Sequence, residues 1–404
     1  MTANKENNTR IYFDNSASTA VDERVVEAMN PYWSEKMGNA GSIHQEGRQA
    51  KEALELARKT IAKIIHAQPE NIIFTSGGTE SNNLAVLGVV NERKSTVAND
   101  HEVSVVTSMV EHKSILDAFG ELERRKVEVS YIPTDETGKA DVELLRESLR
   151  KNTSIVSLVY VNNEIGTIQD IQSVMHIVRK FRKEHDTGQY PLVHLDASQA
   201  PVWLHVDVQK LGVDLLTLDS QKVYGPKGIG CLYARDTKLL KPILFGGGQE
   251  MGLRPGTPPV PLIVGFARAM EIVEEERDTY VNNIREVRDW CIQYVQKELP
   301  DTVVNGPLDE NRIAGNVSFS FPCVDGEQVV LEMDVRGVAI STASACLSEN
   351  EEGSHVVRAL CKDGINVNGT IRISFGRHTE MEEVQKGIKT LVETVSWLRS
   401  SSGN

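Results

Sequence analysis

Lys222 ends an apolar, strand-like run, Val213-Asp-Leu-Leu-Thr-Leu-Asp-Ser-Gln-Lys, and the glycine-bearing turn Val223-Tyr-Gly-Pro-Lys-Gly follows it. An amine delivered to the end of a strand can form a Schiff base. Upstream, Val193-His-Leu-Asp-Ala-Ser-Gln places Asp196 and Gln199 at the end of a second short apolar run. Pyridoxal phosphate (PLP) needs a carboxylate opposite its ring nitrogen, so a lysine and an aspartate on two strand ends predict a site for that cofactor. Each has a plainer competitor: a solvated surface lysine, and an aspartate that caps a turn. Gly78 and Thr79, in Ser76-Gly-Gly-Thr, stand where unpaired backbone N–H groups open a helix, and small residues there let a phosphate approach closely. Cys346 follows Ser341-Thr-Ala-Ser-Ala and precedes the polar stretch Leu347-Ser-Glu-Asn-Glu-Glu-Gly, which predicts an exposed loop carrying a thiol. Cys231 and Cys291 lie in apolar patterns that predict burial.

The elements that must position these residues alternate. Leu54, Ala57, Ile61 and Ile64 keep helical spacing; Asn71-Ile-Ile-Phe-Thr reads as a strand, Ser76-Gly-Gly as a turn, and a helix carrying Leu84, Leu87 and Val90 begins at Thr79. Further strands are expected at 103–107, 127–133, 154–161, 191–195, 213–218 and 229–234, mostly separated by helix-length segments. That alternation predicts an α/β fold with a mainly parallel, seven-stranded sheet covered on both faces, whose ligands gather at the strands' carboxyl ends. After Arg254-Pro-Gly-Thr-Pro-Pro the pattern changes to a long helix with Ile284, Val287, Cys291 and Val295 on one stripe. Strands near 315–321 and 337–341 follow, then a last helix with Val384, Ile388, Leu391, Val395 and Leu398. The expected division is an N-terminal segment 1–25 packing with the small domain, a large domain 26–260, and a smaller α+β domain 261–404.

Composition narrows the function classes. The 404 residues carry 44 Lys and Arg against 57 Asp and Glu, a net charge of −13, which repels a phosphodiester backbone and argues against direct nucleic-acid binding. No apolar run approaches the roughly 20 residues of a membrane helix, and the first ten residues hold no apolar signal-like segment. The five cysteines are odd in number and lack a C-x-x-C pair, so neither a disulfide framework nor a metal site is expected. A reducing, cytoplasmic setting fits these features.

Several segments together resemble one family. Phe13-Asp-Asn-Ser-Ala-Ser-Thr, Phe74-Thr-Ser-Gly-Gly-Thr-Glu-Ser-Asn-Asn, Glu111-His-Lys-Ser, Val161-Asn-Asn-Glu-Ile-Gly, His194-Leu-Asp-Ala-Ser-Gln, Lys222-Val-Tyr-Gly-Pro-Lys-Gly-Ile-Gly, Leu253-Arg-Pro-Gly-Thr and Ser344-Ala-Cys are similar to motifs of the NifS/IscS-type cysteine desulfurases. These are fold type I PLP enzymes of the class V aminotransferase superfamily. The resemblance runs in order from about residue 11 to about residue 395. It implies that L-cysteine loses its sulfur to Cys346 as a persulfide, leaving L-alanine, and that the sulfur passes to an acceptor protein for iron–sulfur cluster assembly or tRNA thiolation. It also implies roles for single residues. Lys222 would carry the Schiff base and move protons, Asp196 would face the ring nitrogen, and Gln199 and Asn163 would sit near the phenolic oxygen. His112 would stack on the ring, Gly78 and Thr79 would cradle the phosphate, and Arg372, assisted by Asn39, would grip the substrate carboxylate, with Arg377 as its competitor. Thr257 would reach the phosphate of a neighbouring subunit, which implies a homodimer.

The chain departs from the family pattern at the phosphate end. Asp219 and Gln221 stand where the family has serine and histidine; Gln221 can still donate, whereas a carboxylate near a phosphate is repulsive and predicts weaker cofactor affinity. Met251 and Ala40 replace the family's usual arginine and proline. Two other readings stay open: another class V activity such as selenocysteine lyase, with Cys346 incidental, and a cofactor-poor homologue serving as a scaffold subunit.

Overall fold

The computed structural model describes residues 10–96, 103–342, 353–360 and 365–401. The chain opens with β1 (Ile11–Tyr12), α1 (Glu23–Met29) and α2 (Gln45–Ile64). Strands and helices then alternate: β2 (Ile72–Thr75), α3 (Gly78–Thr96), β3 (Ser104–Ser108), α4 (Lys113–Arg124), β4 (Glu128–Ile132), α5 (Val142–Ser148), β5 (Thr153–Val159), α6 (Ile171–His185), β6 (Leu192–Asp196), α7 (Val208–Leu211), β7 (Leu215–Asp219) and β8 (Gly230–Ala234). The long α8 (Val260–Glu298) leads to β9 (Val303–Val304), β10 (Asn316–Ser320), α9 (Gly326–Val335), β11 (Val338–Ala339), β12 (Ser341–Thr342), α10 (His355–Ala359), β13 (Thr370–Ser374) and α11 (Met381–Ser401).

Seven strands form one sheet in the order β2-β8-β7-β6-β5-β3-β4. All neighbours are parallel except those of β8, which runs antiparallel to both β2 and β7. Because β2 and β7 each oppose β8, β2 points the same way as the parallel set. The carboxyl ends of β2, β3, β5, β6 and β7 therefore lie along one edge. Every residue of β5 (Thr-Ser-Ile-Val-Ser-Leu-Val) is buried, as a strand covered by helices on both faces requires, while β4 at the sheet's margin is largely open. The covering helices are amphipathic: α4 turns Ile115, Ala118, Phe119 and Leu122 to the sheet. Crossing from β6 to its neighbours, the fully buried His194 bonds Ser157 on β5 through Nδ1 and Thr217 on β7 through Nε2, at 2.9 and 3.0 Å.

α8 begins at Val260 and packs against α1, α2 and α11. A smaller sheet, β12-β13-β10-β9, is antiparallel and buries all of β10 and β13. The strand expected over 337–341 is divided: β11 pairs with β1 at the start of the chain, and β12 pairs with β13. The chain changes sheets at Ile340, so one apolar stretch serves two partners.

Candidate active site

The loops at the carboxyl edge of the large sheet enclose one pocket. Its lining includes Gly78 and Thr79 after β2, His112 after β3, Asn163 after β5, Asp196 and Gln199 at the end of β6, and Asp219, Gln221 and Lys222 at the end of β7. Arg372 on β13 and His355 on α10 close it from the side of the small sheet, and Ser16 and Ala17 from the start of the chain. Ten of the residues singled out from sequence thus meet in one place although they are spread over nearly 300 positions of chain.

Asp196 is held from two sides. Asn82 Nδ2 donates to its Oδ2 at 2.7 Å, and Ser198 donates to its Oδ1 through both N–H (3.0 Å) and Oγ (2.6 Å). A carboxylate offers about four lone-pair sites. One therefore remains for a ring N–H, and the side chain cannot swing away without breaking three bonds. His112 caps α4: its Nδ1 accepts the Ser114 N–H at 3.1 Å and contacts Ser114 Oγ at 2.8 Å. An Nδ1 that accepts leaves the proton on Nε2. Burial pushes the imidazole's pKa down, Asp196 opposes that, and Lys222 reinforces it. Lys222 Nζ donates to the carbonyls of Ser16 and Ala17, both at 2.7 Å. Gln199 Nε2 donates to the same Ser16 carbonyl at 3.0 Å.

Arg372 is buried and pairs with Asp14 at 2.7 Å, while its Nε has no hydrogen-bond partner among the described residues. Arg377, its competitor in the sequence, is buried elsewhere, paired with Asp22 and laid over the Tyr224 ring at 4.3 Å. Arg372 alone of the two lines the pocket.

At the phosphate end, Gly78 is tightly enclosed. A Cβ built on it would lie 3.1 Å from Ser198 Oγ and 3.3 Å from Asp219 Oδ2, so glycine keeps this helix start accessible. Gln221 donates to Asp219, through its N–H to Oδ1 at 3.3 Å and through Nε2 to Oδ2 at 3.1 Å. The glutamine amide expected to serve a phosphate is thus turned onto the neighbouring carboxylate. These residues fit PLP at its ring end, where the oriented carboxylate, the flat neutral imidazole and the lysine amine converge. The orphaned Arg372 Nε fits a substrate carboxylate. The phosphate end fits less simply, because Asp219 stands beside the glycine turn.

Asn39 and Thr257 are exposed and do not line this pocket; Asn39 borders a second cleft with Lys51, Arg58 and Glu250. Cys346 lies outside the described residues. The described chain on either side of it is β12, where Ser341 pairs with Arg372, and α10, whose His355 lines the pocket.

Sequence reasoning missed Asn82, Ser114, Ser198, Glu111, Glu164 and His355. Asn82 lies four residues after Gly78, one helical turn along the same face, and Asp196-x-Ser198 has the spacing of a local Asx turn; both signals were present. Glu111 and Glu164 are buried carboxyls whose burial raises their pKa, Glu111 to about 8, with Ser108 donating to Glu111 and Ser354 to Glu164. His355 Nε2 meets the Glu111 carbonyl at 2.9 Å. Nothing in the local sequence announces the Ser354–Glu164 and His355–Glu111 pairings, which span 190 and 244 residues.

Residues 11–386 match the family model described as aminotransferase class-V. The chain is 40% identical over 392 residues to "Cysteine desulfurase IscS" of Dictyoglomus turgidum, covering 97% of this chain and 96% of that one. It is likewise 40% identical to "Cysteine desulfurase, mitochondrial" of Arabidopsis thaliana, over 97% of this chain and 84% of that one. Among solved structures, a NifS-like protein superposes with a TM-score of 0.87 at 34% identity, covering 96% of this chain and all of that one. "SspA in complex with cysteine" gives a TM-score of 0.77 at 33% identity over 92% of this chain and all of that one. With a family match over residues 11–386 and relatives so similar along nearly the whole length, the protein belongs to the aminotransferase class-V family.

Proposed function

We propose that the protein is a PLP-dependent cysteine desulfurase that converts L-cysteine to L-alanine and receives the sulfur on Cys346 as a persulfide. The observation that carries this reading is the convergence of Lys222, the doubly held Asp196 and the buried Arg372 on one pocket. Relatives named cysteine desulfurase, and a neighbour solved with cysteine, support the substrate. When bound, PLP supplies an electron-withdrawing ring that loosens bonds at the substrate's Cα. Asp196 keeps the ring nitrogen protonated, its orientation set by Asn82 and Ser198. His112 presents a neutral ring face, and Asn163 and Gln199 border the same edge. Arg372 binds the substrate carboxylate through its planar fork and so orients Cα toward Lys222. The Lys222 amine, held by the Ser16 and Ala17 carbonyls, moves the proton at Cα.

The exposed surface supports a homodimer. Met37, Ile43, Phe245 and Met251 are exposed, Ile43 by 91% and Phe245 by 87%, on the loops that also carry Asn39 and Thr257. Large apolar side chains gathered there suit a second copy, which would bring Thr257 to a partner's phosphate end. Persulfide sulfur would then pass to an acceptor serving iron–sulfur clusters or tRNA thiolation, in the cytoplasm. No helix among the described residues is long and apolar enough to cross a membrane.

The test is incubation of purified protein with L-cysteine, followed by mass spectrometry for alanine and for a sulfur adduct on Cys346. Cys346→Ala abolishes sulfur transfer in this reading; transfer that persists points to another class V activity. A cofactor absorbance band removed by Lys222→Ala excludes the scaffold reading.

A further inference from the structure

We infer that Asp219 takes part in holding the cofactor's phosphate through a shared proton, so that binding of PLP draws one proton from solvent. This rests on the PLP reading above and concerns this chain's own substitution at the phosphate end.

Three observations carry it. First, Asp219 is only 8% exposed and lines the pocket, with Oδ2 3.3 Å from where a Gly78 Cβ would stand. A phosphate seated on the Gly77–Gly78 turn meets this carboxylate as an immediate neighbour. Second, the carboxylate is not free to leave. Its Oδ1 caps the short turn Ser220–Lys222 by accepting the Gln221 N–H, and that turn positions Lys222. Swinging Asp219 outward would undo the cap next to the residue that anchors the cofactor. Third, Gln221 Nε2, a neutral donor on the same turn, is already directed to Asp219 Oδ2.

Among the described residues, few charged and titratable groups stand around Asp219. Lys222 stands on its own turn with Nζ on two carbonyls, Asp196 lies across Ser198 at the end of β6, and His112 starts α4. In the first turn of α3, Glu80 pairs with Arg254 at 3.0 Å. On β8, Gly230 faces Asp219 in register and adds no charge. Two anions, a carboxylate and a phosphate dianion, therefore meet beside one helix start. A single proton between them removes the repulsion and creates an O–H···O bond, while the second carboxyl oxygen keeps its place on the Gln221 N–H. The balance is simple: one proton enters from solvent and no covalent bond breaks. Above about pH 7, where a free phosphate monoester is a dianion, the phosphate's contribution to affinity falls about tenfold per pH unit.

The experiment compares PLP with pyridoxal, which lacks the phosphate but forms the same linkage to Lys222. The ratio of the pyridoxal Kd to the PLP Kd is measured from pH 6 to 9 in the full-length wild type and in Asp219→Asn. The expected ratio in the wild type falls about tenfold per pH unit above pH 7; in Asp219→Asn it is higher and does not fall. Calorimetry in two buffers of different ionisation enthalpy counts protons directly on the wild type at pH 8, where PLP should take up about one proton more than pyridoxal does. A wild-type ratio that does not fall with pH, an Asp219→Asn ratio equal to the wild type's, or no excess proton uptake overturns the inference alone. Failure of PLP to bind or to be trapped on Lys222 at any pH overturns both it and the cofactor reading.

Discussion

Glu111→Gln is expected to change how stability depends on pH, in protein free of cofactor. The Glu111 carboxyl is wholly enclosed, accepts a hydrogen bond from Ser108, and has its second oxygen buried without a partner among the described residues. Burial, assisted by the nearby Asp196 charge, raises its pKa from the ordinary 4.5 to about 8. The folded chain therefore holds a proton there that the unfolded chain releases above about pH 4.5. Stability from the neutral carboxyl is complete below that value and falls as pH rises, by ~1.4 kcal/mol per pH unit, until the folded form also ionises near pH 8. The whole window amounts to a loss on the order of 5 kcal/mol. His194 works in the opposite sense. Burial lowers its pKa to about 4, so its contribution rises with pH from about 4 to 6.5. The wild-type curve mixes the two, whereas the difference between wild type and Glu111→Gln isolates Glu111. The amide adds a pH-independent offset, because its NH2 would lack a buried acceptor. For a chain of 404 residues, the gap in thermal midpoint should move in the variant's favour by about 1–2 °C per pH unit between pH 5 and 8. Scanning fluorimetry at fixed protein concentration measures it. A gap that stays constant over that range would refute the buried, proton-holding carboxyl.

Arg372→Lys should raise the KM for L-cysteine about tenfold or more with a smaller effect on kcat, since a point charge replaces a fork at the carboxylate; steady-state kinetics check the split. Gly78→Ala should weaken PLP affinity about tenfold, because its Cβ would press on Ser198 Oγ and Asp219 Oδ2; equilibrium dialysis reads this, and an unchanged Kd removes the glycine from the site. Glu250→Ala leaves Arg58 charged and buried without the partner that holds it at 2.7 and 2.8 Å, and should destabilise the fold by about 3–5 kcal/mol in urea unfolding.

The central sheet was legible because its strands are short, apolar and bounded by turns. Expectations at 103–107, 191–195 and 229–234 fall within a residue of β3, β6 and β8. Helices cover the sheet and bury these runs on both faces, which leaves the same apolar composition wherever a strand lies. β13 was not anticipated. Its Thr370-Ile-Arg-Ile-Ser pattern places Arg372 in the middle of a buried strand, a position that the pocket, Asp14 and the Asn163 carbonyl explain. In α2 the buried stripe ends on Ile65, just past the helix, while Ile64 is half-buried. The residues that line the pocket at the ends of β6 and β7 were readable from strand-end motifs. The groups that hold them were harder to see, because Asn82 reaches Asp196 over 114 residues and His355 reaches Glu111 over 244. Local spacing carries no information at that separation.

The pocket draws on both extremes of the chain: Ser16 and Ala17 receive the Lys222 amine, and Asp14 holds Arg372. A ribosome that has released residues up to 260 has made every strand of the large sheet, yet the cleft still lacks one wall. That wall arrives only with β13, more than 100 residues later, when Arg372 meets a segment synthesised near the beginning. At about 5–20 residues per second, the nascent sheet waits several seconds with its ligand edge open. Assembly of the catalytic cleft is thus a late event of translation, however early the scaffold beneath it forms.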